Sequence, residues 1–519
     1  MAGSAGVEGN GEREIVILRI PGRPHKLSEG SEIGVFANKR TKRKDAETDY
    51  EESDKLIVPV KLQKCTWRKG ACGRQLCSEK HISTTGGAVT MGNELNKIAE
   101  LAKKHGRLQT VMHHVNADTL KAEHKRQKTG KASGVDKVTK EEYGEKLDEN
   151  ITNLLARMKS FSYRPQPVNR VYIPKEGSDN KLRPLGIPAY EDKLVQGAIR
   201  NVLDAIYEGK FYDFSYGFRT GKSQHQALKE VGNLIMTKKI NWVVDVDIKG
   251  FFDNLDHEWL MKFLEHDIQD KNFLRYIKRF LKAGIVEGLQ RYESEQGAPQ
   301  GGLISPVCAN VYLHYVLDMW FDKVVKKECE GDAFIIRYAD DFVCMFQYEH
   351  EARKFFLRLK ERLAKFGLEI AEDKSNIIRF GRFARTSGAD GKAETFDFLG
   401  FTHICGKTRT GKFRVAHRIS KKKLKIKQAK IKEWLKYNIQ DKIPNIIDKL
   451  NKKLRGLYQY YGISGNMHSL KKIDRFVQRS LRRALKRRSQ RSKMTWERFY
   501  KILKQFPLTQ PKIYVNIWS

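Results

Sequence analysis

The stretch AFIIRYADDFVCMF, Ala333–Phe346, decides the fold of this 519-residue chain. Two apolar runs flank Ala339–Asp340–Asp341, which predicts a strand, a tight turn and a second strand. The two neighbouring acids then lie at the tip of a hairpin. Asp is common in turns for structural reasons alone, so the pair indicates chemistry only if a second acidic site accompanies it.

A second apolar run that ends in acids lies earlier in the chain. NWVVDVDI, Asn241–Ile248, is predicted to be a strand, and the sequence continues as KGFFDNLDH. Asp247 stands at the strand end with the carbonyl of Ile248 beside it, and such oxygens suit a hard divalent cation. The structural alternative is a surface loop with helix N-caps, which accounts for Asp253 or Asp256.

Carboxylates on two strand ends meet the needs of phosphoryl transfer. Two metal ions, held roughly 3.5–4 Å apart, activate the attacking oxygen and neutralise the leaving group. Mg²⁺ prefers carboxylate oxygens for this purpose. The pattern therefore favours a polymerase-type site over a purely structural hairpin.

The chain divides into four parts by composition. Residues 1–90 are rich in Gly, Ser, Lys and Glu, with one strand-like run at Leu56–Leu62, and a poorly ordered extension is expected there. Residues 91–165 show helical periodicity, and residues 166–415 alternate strands with amphipathic helices, which predicts an α+β region. Residues 416–519 are basic and helical.

The charge balance indicates a polyanionic partner. The formal net charge is +37 and the sequence pI is about 9.8. Nucleic acid is the first candidate, because cations that meet phosphates release condensed counterions; an anionic membrane surface is the second. No apolar run reaches the roughly 18–20 residues that span a bilayer. Without a recognisable signal peptide or a disulfide-type cysteine pattern, a cytoplasmic location is expected.

The positive charge is concentrated near the end of the chain. Residues 421–500 contain 25 Lys and Arg against 5 Asp and Glu. Aromatic residues are interleaved with these cations, and such rings stack on unpaired bases. This density predicts binding to RNA and to a duplex, whereas the structural alternative is a solvated charged face.

Several motifs together resemble the group II intron-encoded reverse transcriptases, over roughly residues 91–519. RYADDF (Arg337–Phe342) resembles their YxDD box, and DIKGFFD (Asp247–Asp253) resembles their other metal-binding motif. The remaining motifs that carry the resemblance, which also match in order and spacing, are ASGVDKVT (Ala132–Thr139), KLRPLGIP (Lys181–Pro188), YGFRTGKSQHQAL (Tyr216–Leu228), GAPQGGLISPVCANVYL (Gly297–Leu313), GLEIAEDKS (Gly367–Ser375), FDFLGF (Phe396–Phe401) and LRGLYQYYG (Leu454–Gly462).

The resemblance implies an RNA-directed DNA polymerase with a right-hand architecture. Residues 91–165 would form the N-terminal extension and the start of the fingers, and residues 166–415 the fingers and a palm with an antiparallel sheet. Residues 416–519 would form a helical thumb and a maturase domain that binds intron RNA. The implied partners are a group II intron RNA, an RNA template, a DNA primer or target and dNTPs, in a bacterial cytoplasm and on the nucleoid when bound to target DNA.

The resemblance also implies roles for individual residues. Asp247, Asp340 and Asp341 would be catalytic and would hold two Mg²⁺ ions, with Mn²⁺ as an alternative, helped by the carbonyl of Ile248. The predicted nucleotide-binding residues are Lys175 and Arg183 on the triphosphate, Phe252 as a gate against a 2′-hydroxyl, Gln300 with its neighbouring glycines, and Lys374. The predicted RNA-binding residues are Arg455, Tyr458, Tyr461, Arg482, Arg483, Arg487 and Arg488.

The cysteine and histidine pattern argues against an HNH endonuclease and against a zinc site. The region after residue 420 contains no cysteine, and His468 is its only histidine, so the HNH endonuclease of many similar proteins is expected to be missing. Cys65, Cys72, Cys77 and His81 lack the C-x2-C pair of common zinc sites, so a zinc site is not expected.

Two rival functions remain open from the sequence. The first is a domesticated bacterial reverse transcriptase that acts in repair or phage defence. The second is a non-catalytic RNA-binding splicing factor, against which the intact acids Asp247, Asp340 and Asp341 argue.

Overall fold

A computed structural model describes residues 87–175, 182–288, 290–293, 296–298, 300–384, 393–488 and 493–518. Apart from residues 87–90, the predicted N-terminal extension lies outside these ranges, and so do Leu56–Leu62, Cys65, Cys72, Cys77 and His81. The described part has a mixed α/β fold, and its elements are helical from Lys421 onward.

The described helices are unevenly spaced along the chain. Among them, none is both long and apolar enough to span a bilayer. In chain order they are α1 (Gly87–His105), α2 (Ala117–Arg126), α3 (Lys140–Glu145), α4 (Leu147–Lys159), α5 (Tyr190–Tyr207), α6 (Gln224–Thr237), α7 (His257–Asp267), α8 (Lys271–Leu281), α9 (Ser305–Leu313), α10 (Lys326–Glu328), α11 (Glu349–Lys365), α12 (Lys421–Tyr437), α13 (Ile443–Tyr461), α14 (Met467–Lys486) and α15 (Trp496–Gln505). Two π-helical stretches, His314–Asp318 and Phe321–Val325, lie between α9 and α10.

The described strands form three sheets. They are β1 (Val168–Pro174), β2 (Leu182–Ile187), β3 (Trp242–Val246), β4 (Ile285–Glu287), β5 (Gln290–Tyr292), β6 (Ala333–Tyr338), β7 (Asp341–Phe346), β8 (Asn376–Arg379), β9 (Thr395–Phe398), β10 (Phe401–Lys407) and β11 (Phe413–Ile419). The strand orders are β2-β1-β4-β5, β6-β7-β3-β8 and β11-β10-β9. Only β1 and β4 pair in parallel among these strands.

The sheet β6-β7-β3-β8 has a hydrophobic core on each face. In β7, Phe342 and Cys344 join a first core with α1–α5, α7–α9 and α11. Val343 and Met345 join a second core with α6, β9–β11 and α12–α15. Successive side chains of a strand point to opposite faces, so a strand covered on both sides is apolar throughout. This explains the unbroken apolar runs that flank Asp340.

The predicted strands of this region are confirmed. VNRVYIP forms β1, and AFIIRY and DFVCMF form the two strands of a hairpin. The expectation that Asp247 and this hairpin belong to one antiparallel sheet is also confirmed, because β7 pairs antiparallel with both β6 and β3. Asp256 caps α7 by accepting from the backbone N–H groups of Glu258 and Trp259, as the N-cap interpretation expected.

The C-terminal helices bury an apolar stripe despite their high charge. In α13, Leu450, Leu454, Tyr458 and Tyr461 are buried in the second core. Their spacing of four, four and three residues places them on one helix face. The lysines and arginines of α13 occupy the remaining faces, where water or a polyanion can reach them.

Two histidines are buried between strands of the smallest sheet. His403 in β10 lies opposite His417 in β11, and their ring centroids are 4.5 Å apart. Burial lowers the pKa of His417 to about 4 and that of His403 well below its ordinary value, to which the neighbouring His417 also contributes. Both rings are therefore neutral in the folded protein at pH 7.

We predict that this pair makes the fold acid-sensitive. The unfolded chain binds a proton at His417 below about pH 6.5, whereas the folded chain does so only near pH 4. Stability is therefore lost as the pH falls through this window, by on the order of 3 kcal/mol for His417. Urea unfolding at several pH values should show a shallower dependence for His417→Leu than for the wild type. The exposed His468 offers the control His468→Leu, and an equal flattening by both substitutions would contradict the assignment.

Candidate active site

Three acids lie at one end of the sheet β6-β7-β3-β8. Asp340 lies in the turn between β6 and β7, and Asp341 begins β7. Asp247 directly follows β3, whose last residue Val246 pairs with Phe342 of β7. Because these strands are antiparallel neighbours, the end of β3 and the hairpin tip meet, and the structure brings together the acids that the sequence predicted.

A buried arginine in β6 stabilises the hairpin. The side chain of Arg337 is fully buried and donates to both carboxylate oxygens of Asp318 at 2.8 and 2.5 Å. It also donates to Asn310 Oδ1 at 2.9 Å and to the carbonyl of Ala339 at 3.1 Å. Ala339 has a φ of 59°, a left-handed conformation that strains any residue with a Cβ atom. The guanidinium therefore stabilises the turn that presents Asp340.

The segment Phe214–Gly217 supports the hairpin from the side. The N–H of Arg337 donates to the carbonyl of Phe214, and the N–H of Tyr216 donates to the carbonyl of Arg337, at 2.9 and 2.8 Å. A Cβ atom on Gly217 would lie 2.2 Å from the backbone nitrogen of Ala339. Only glycine permits this approach, so the YGFR motif is fitted to the turn of the acidic hairpin.

Asp247 is fixed by the segment that follows α11. Its N–H donates to Ser375 Oγ at 3.1 Å, and its carbonyl accepts from the N–H of Ala371 at 2.8 Å. Lys374 Nζ donates to Asp247 Oδ2 at 2.9 Å. The GLEIAEDKS motif therefore orients the backbone of Asp247 and places a cation on its carboxylate.

The carboxylates of this site repel one another. The Asp341 side chain keeps some exposed surface, but the protein around its carboxylate displaces much of the hydrating water. This desolvation, together with the charges of Asp340 and Asp247, raises the pKa of Asp341 to about 7. Burial also raises the pKa of Asp340, as does the charge of Asp247. The pKa of Asp245 rises to about 7 through burial and then through Asp341, Asp247 and Asp397.

This arrangement fits divalent cations. Like charges that raise one another's pKa values are relieved by a bound cation, which favours the ionised carboxylates. Within the described residues no group of three or more His, Cys, Asp or Glu side chains is already set at metal-binding distances. The Lys374 ammonium pairs with the Asp247 carboxylate, so a metal ion there would have to compete with this ammonium. Ile248 pairs with Ile370 beside the site.

Most of the predicted nucleotide-binding residues share a cavity of about 1090 Å³. Arg183, Phe252 and Gln300 line it, and Arg183 Nε donates to Gln300 Oε1 at 2.9 Å. Lys175 is exposed at the end of β1 and is not part of this lining. Lys374 instead lines the neighbouring cleft beside Asp247.

Gly301 lies against the backbone of β2. It has a φ of 118°, and a Cβ atom on it would lie 2.2 Å from the carbonyl oxygen of Gly186 in β2. The carbonyl of Gln300 accepts from the N–H of Gly186 at 2.5 Å. The described contacts of this glycine are therefore with the protein's own β2 backbone, which fixes Gln300 beside Arg183.

A cleft of about 950 Å³ separates the acids from the basic helices. Asp245, Asp247 and Asp341 line it together with residues of α12 and α13. Lys423, Lys427 and Lys430 of α12 line the cleft, at the spacing that places residues on one face of a helix. The cleft thus carries both carboxylates and a row of ammonium groups, and the charge of Lys423 acts to lower the pKa of Asp341.

The structure corrects part of the predicted RNA-binding set. Tyr458 is 0% exposed and Tyr461 is 4% exposed, so neither ring can stack on a base; both pack in the second core. Arg488 donates to the carbonyls of Ile439 and Asp441, which makes it a link between helices. Arg455, Arg483 and Arg487 are exposed, and Arg482 lies over the Trp496 ring at 4.5 Å from its centroid.

Sequence reasoning missed Asp245 and Asp318 as parts of this site. Asp245 lies two residues before Asp247, and a strand period of two places both on one face; that signal was present. The buried Arg337 within the apolar run AFIIRY also indicated that an acid must accompany it. Nothing local identified Asp318 as that acid.

Two protein families match successive parts of the chain. Residues 173–403 match the family described as Reverse transcriptase (RNA-dependent DNA polymerase). Residues 424–502 match the family described as Group II intron, maturase-specific domain. The first match includes all three hairpin and strand-end acids, and the second covers most of the basic helices.

Similar whole proteins agree with these matches. Group II intron-encoded protein LtrA of Lactococcus lactis subsp. cremoris is 32% identical over 399 residues, which cover 62% of this chain and 65% of that protein. Protein YkfC of Escherichia coli strain K12 is 34% identical over 323 residues, which cover 56% of this chain and 80% of YkfC. An uncharacterized 91 kDa protein in the cob intron of Schizosaccharomyces pombe is 38% identical over 165 residues, or 32% of this chain and 20% of that protein.

We predict that Asp318→Ala destabilises the protein by about 3–5 kcal/mol, because it leaves the buried Arg337 guanidinium without its counter-charge. A second change, Arg337→Leu, should recover part of this loss in a double-mutant cycle. Urea unfolding measures both. Asp448→Ala, which removes the exposed ion pair to Lys452, is the control and should hardly shift the midpoint. Equal midpoints for Asp318→Ala and the wild type would contradict the role of Asp318 as the counter-charge of Arg337.

Proposed function

The chain belongs to the group II intron-encoded reverse transcriptase and maturase family, and from this membership we propose that it is an RNA-directed DNA polymerase that also assists the splicing of a group II intron RNA. The observation that carries the polymerase part is the meeting of Asp247, Asp340 and Asp341 at one sheet end. In the reaction a primer 3′-hydroxyl attacks the α-phosphate of a dNTP, and pyrophosphate leaves.

Reverse transcriptases generally use divalent metal ions for catalysis. Two Mg²⁺ ions, or Mn²⁺ in their place, would be held here by Asp247, Asp340, Asp341 and the carbonyl of Ile248. When bound, such ions neutralise charge on the phosphates and lower the pKa of the attacking hydroxyl. The mutual repulsion of these carboxylates supports a dicationic pair at this position.

The remaining cavity residues would bind and select the nucleotide. Arg183, which Gln300 orients, would grip the triphosphate together with Lys175, since a guanidinium fork suits phosphate oxygens. Phe252 is 9% exposed and lines the same cavity, so its ring would exclude a 2′-hydroxyl by steric contact. Lys374 would neutralise Asp247 until the metal ions and nucleotide arrive.

The proposed architecture is a right-hand polymerase. Fingers and palm would occupy residues 91–415, with β6-β7-β3-β8 as the palm sheet, and residues 416–519 would form the thumb and maturase domain. The lysine row of α12, which lines the same cleft as the acids, supports the binding of a template–primer duplex there. The exposed arginines of α14 would bind intron RNA, and both activities would serve retrohoming in a bacterial cytoplasm.

The first test is primer extension on an RNA template with dNTPs and Mg²⁺. We expect the wild type to extend the primer and Asp340→Asn/Asp341→Asn to lose at least about 100-fold in rate, because the metal ligands lose their charge. The matched control is Asp148→Asn/Glu149→Gln, an exposed neighbouring acidic pair on α4, which should extend normally. Absence of extension by the folded wild type would refute the polymerase proposal.

The second test addresses the basic helices. Arg483→Gln/Arg487→Gln should weaken binding to a group II intron RNA and reduce the slope of log K against log salt by about one for each phosphate that the variant no longer binds. Filter binding at several salt concentrations gives this slope. Lys103→Gln/Lys104→Gln removes two exposed cations from α1 and should leave the slope unchanged. A slope that the arginine changes leave intact would place the RNA elsewhere.

A further inference from the structure

Phe218 is a large apolar side chain that the fold leaves in solvent. It follows Gly217 in the YGFR motif and is 53% exposed. Its φ is 58°, in the left-handed region. A bulky residue there is a backbone outlier with a free-energy cost, and an exposed ring regains little of it by burial. The cost therefore needs another explanation.

The residues on both sides of Phe218 fix its backbone. On one side, the carbonyl of Gly217 accepts from Asn310 Nδ2 at 2.7 Å, and Gly217 itself packs against the turn at Ala339. On the other side, Arg219 is 9% exposed and donates to the Glu208 carboxylate and to the carbonyls of Tyr212 and Ser215. The ring is presented from a rigid loop rather than from a mobile one.

The ring of Phe218 lines the proposed nucleotide cavity. Phe252, Arg183 and Gln300 line the same cavity. Its volume of about 1090 Å³ exceeds the ~300–1,000 Å³ that a pocket for one small ligand has. A templated reaction requires two paired nucleotides in this space, the incoming one and its partner on the template.

The lining of the cavity has two chemically distinct parts. The hydrogen-bonded pair Arg183–Gln300 belongs to β2 and the loop before α9, where the triphosphate is proposed. Phe218 belongs with α5 instead, because Arg219 pairs with Glu208 just after α5, and α5 also contributes Arg200 to the lining. The second part presents the exposed ring of Phe218, and aromatic rings of this kind stack on the bases of single strands.

We propose that Phe218 is a stacking platform for the template nucleotide that pairs with the incoming dNTP. This inference rests on the proposed polymerase function and assigns a specificity role to a residue outside the metal and triphosphate sites. The ring stacks on the base of the template nucleotide, and the contacts of Gly217 and Arg219 on either side fix its backbone.

The test compares Phe218→Gly, Phe218→Leu and Phe218→Tyr with the wild type in single-nucleotide incorporation. Each protein is assayed on an RNA template with an intact templating base and on one with an abasic site at that position. Thermal unfolding is measured in parallel. The matched control is Phe161→Gly, since Phe161 also has a φ of 58° and is 37% exposed but lies outside the cavity lining.

We expect Phe218→Gly to raise the unfolding temperature or leave it unchanged, because glycine adopts this conformation without strain. Phe161→Gly also loses the Arg275 guanidinium over its ring, so it serves as the control for the incorporation rate alone. Only Phe218→Gly and Phe218→Leu should slow incorporation opposite an intact base, by about 5- to 150-fold, the equivalent of about 1–3 kcal/mol of stacking per base. Phe218→Tyr should restore the rate. The difference from the wild type should nearly vanish opposite the abasic site.

Three results would overturn the inference. Normal incorporation by Phe218→Gly would show that the ring has no role in the reaction. An equal loss opposite intact and abasic templates would show that the ring acts on the incoming nucleotide. A fall in the unfolding temperature that matches the loss of rate would make the role structural. Absence of extension by the wild type refutes the polymerase proposal instead, so the two failures are distinguishable.

Discussion

The position of the acidic hairpin depends on one fully buried charged group, the guanidinium of Arg337. A guanidinium in a sheet interior is tolerated only when an opposite charge and hydrogen-bond acceptors surround it. Arg337 meets this condition through Asp318, Asn310 and the carbonyl of Ala339. Asp318 ends a π-helical stretch and Asn310 belongs to α9. The hairpin therefore cannot shift relative to α9 and the π-helical stretch after it without leaving a buried charge unpaired. This constraint also fixes the position of Asp340 and Asp341 at the hairpin tip.

The carboxylates in front of the hairpin impose the opposite condition. Asp245, Asp247 and Asp341 face a cleft where burial and their own repulsion raise the pKa values of Asp245 and Asp341 to about 7. The fold therefore holds them together at an electrostatic cost that a cation would relieve. Lys374 supplies part of that relief, and the lysines of α12 face the same cleft. The same features that make the cleft unfavourable when empty make it suited to metal ions and a polyanionic strand.

The local elements could be predicted from sequence because their causes are local. Apolar runs separated by turn residues predict the strands β1, β3, β6 and β7. The acids at two of the strand ends are evident from the same stretches of sequence. The second core was not visible, and so Tyr458 and Tyr461 were misassigned to RNA. Their spacing from Leu450 and Leu454 marked an apolar helix stripe, but the surrounding positive charge outweighed it. Partners distant in sequence, such as Ser375 for Asp247, depend on how strands meet and had no local signal.

The two strained backbone positions near the hairpin, Ala339 and Phe218, differ in how the fold compensates for the strain. Ala339 and Phe218 both adopt left-handed backbone conformations, and both adjoin Gly217, whose missing side chain lets the two loops touch. The strain at Ala339 is offset by the buried Arg337 network directly behind it. At Phe218 the neighbouring contacts fix the backbone, but the ring itself gains no comparable packing. An unfavourable conformation that the fold enforces and does not use for its own stability is best explained by a partner that binds there, and the cavity that the ring lines is where a nucleic acid strand would lie.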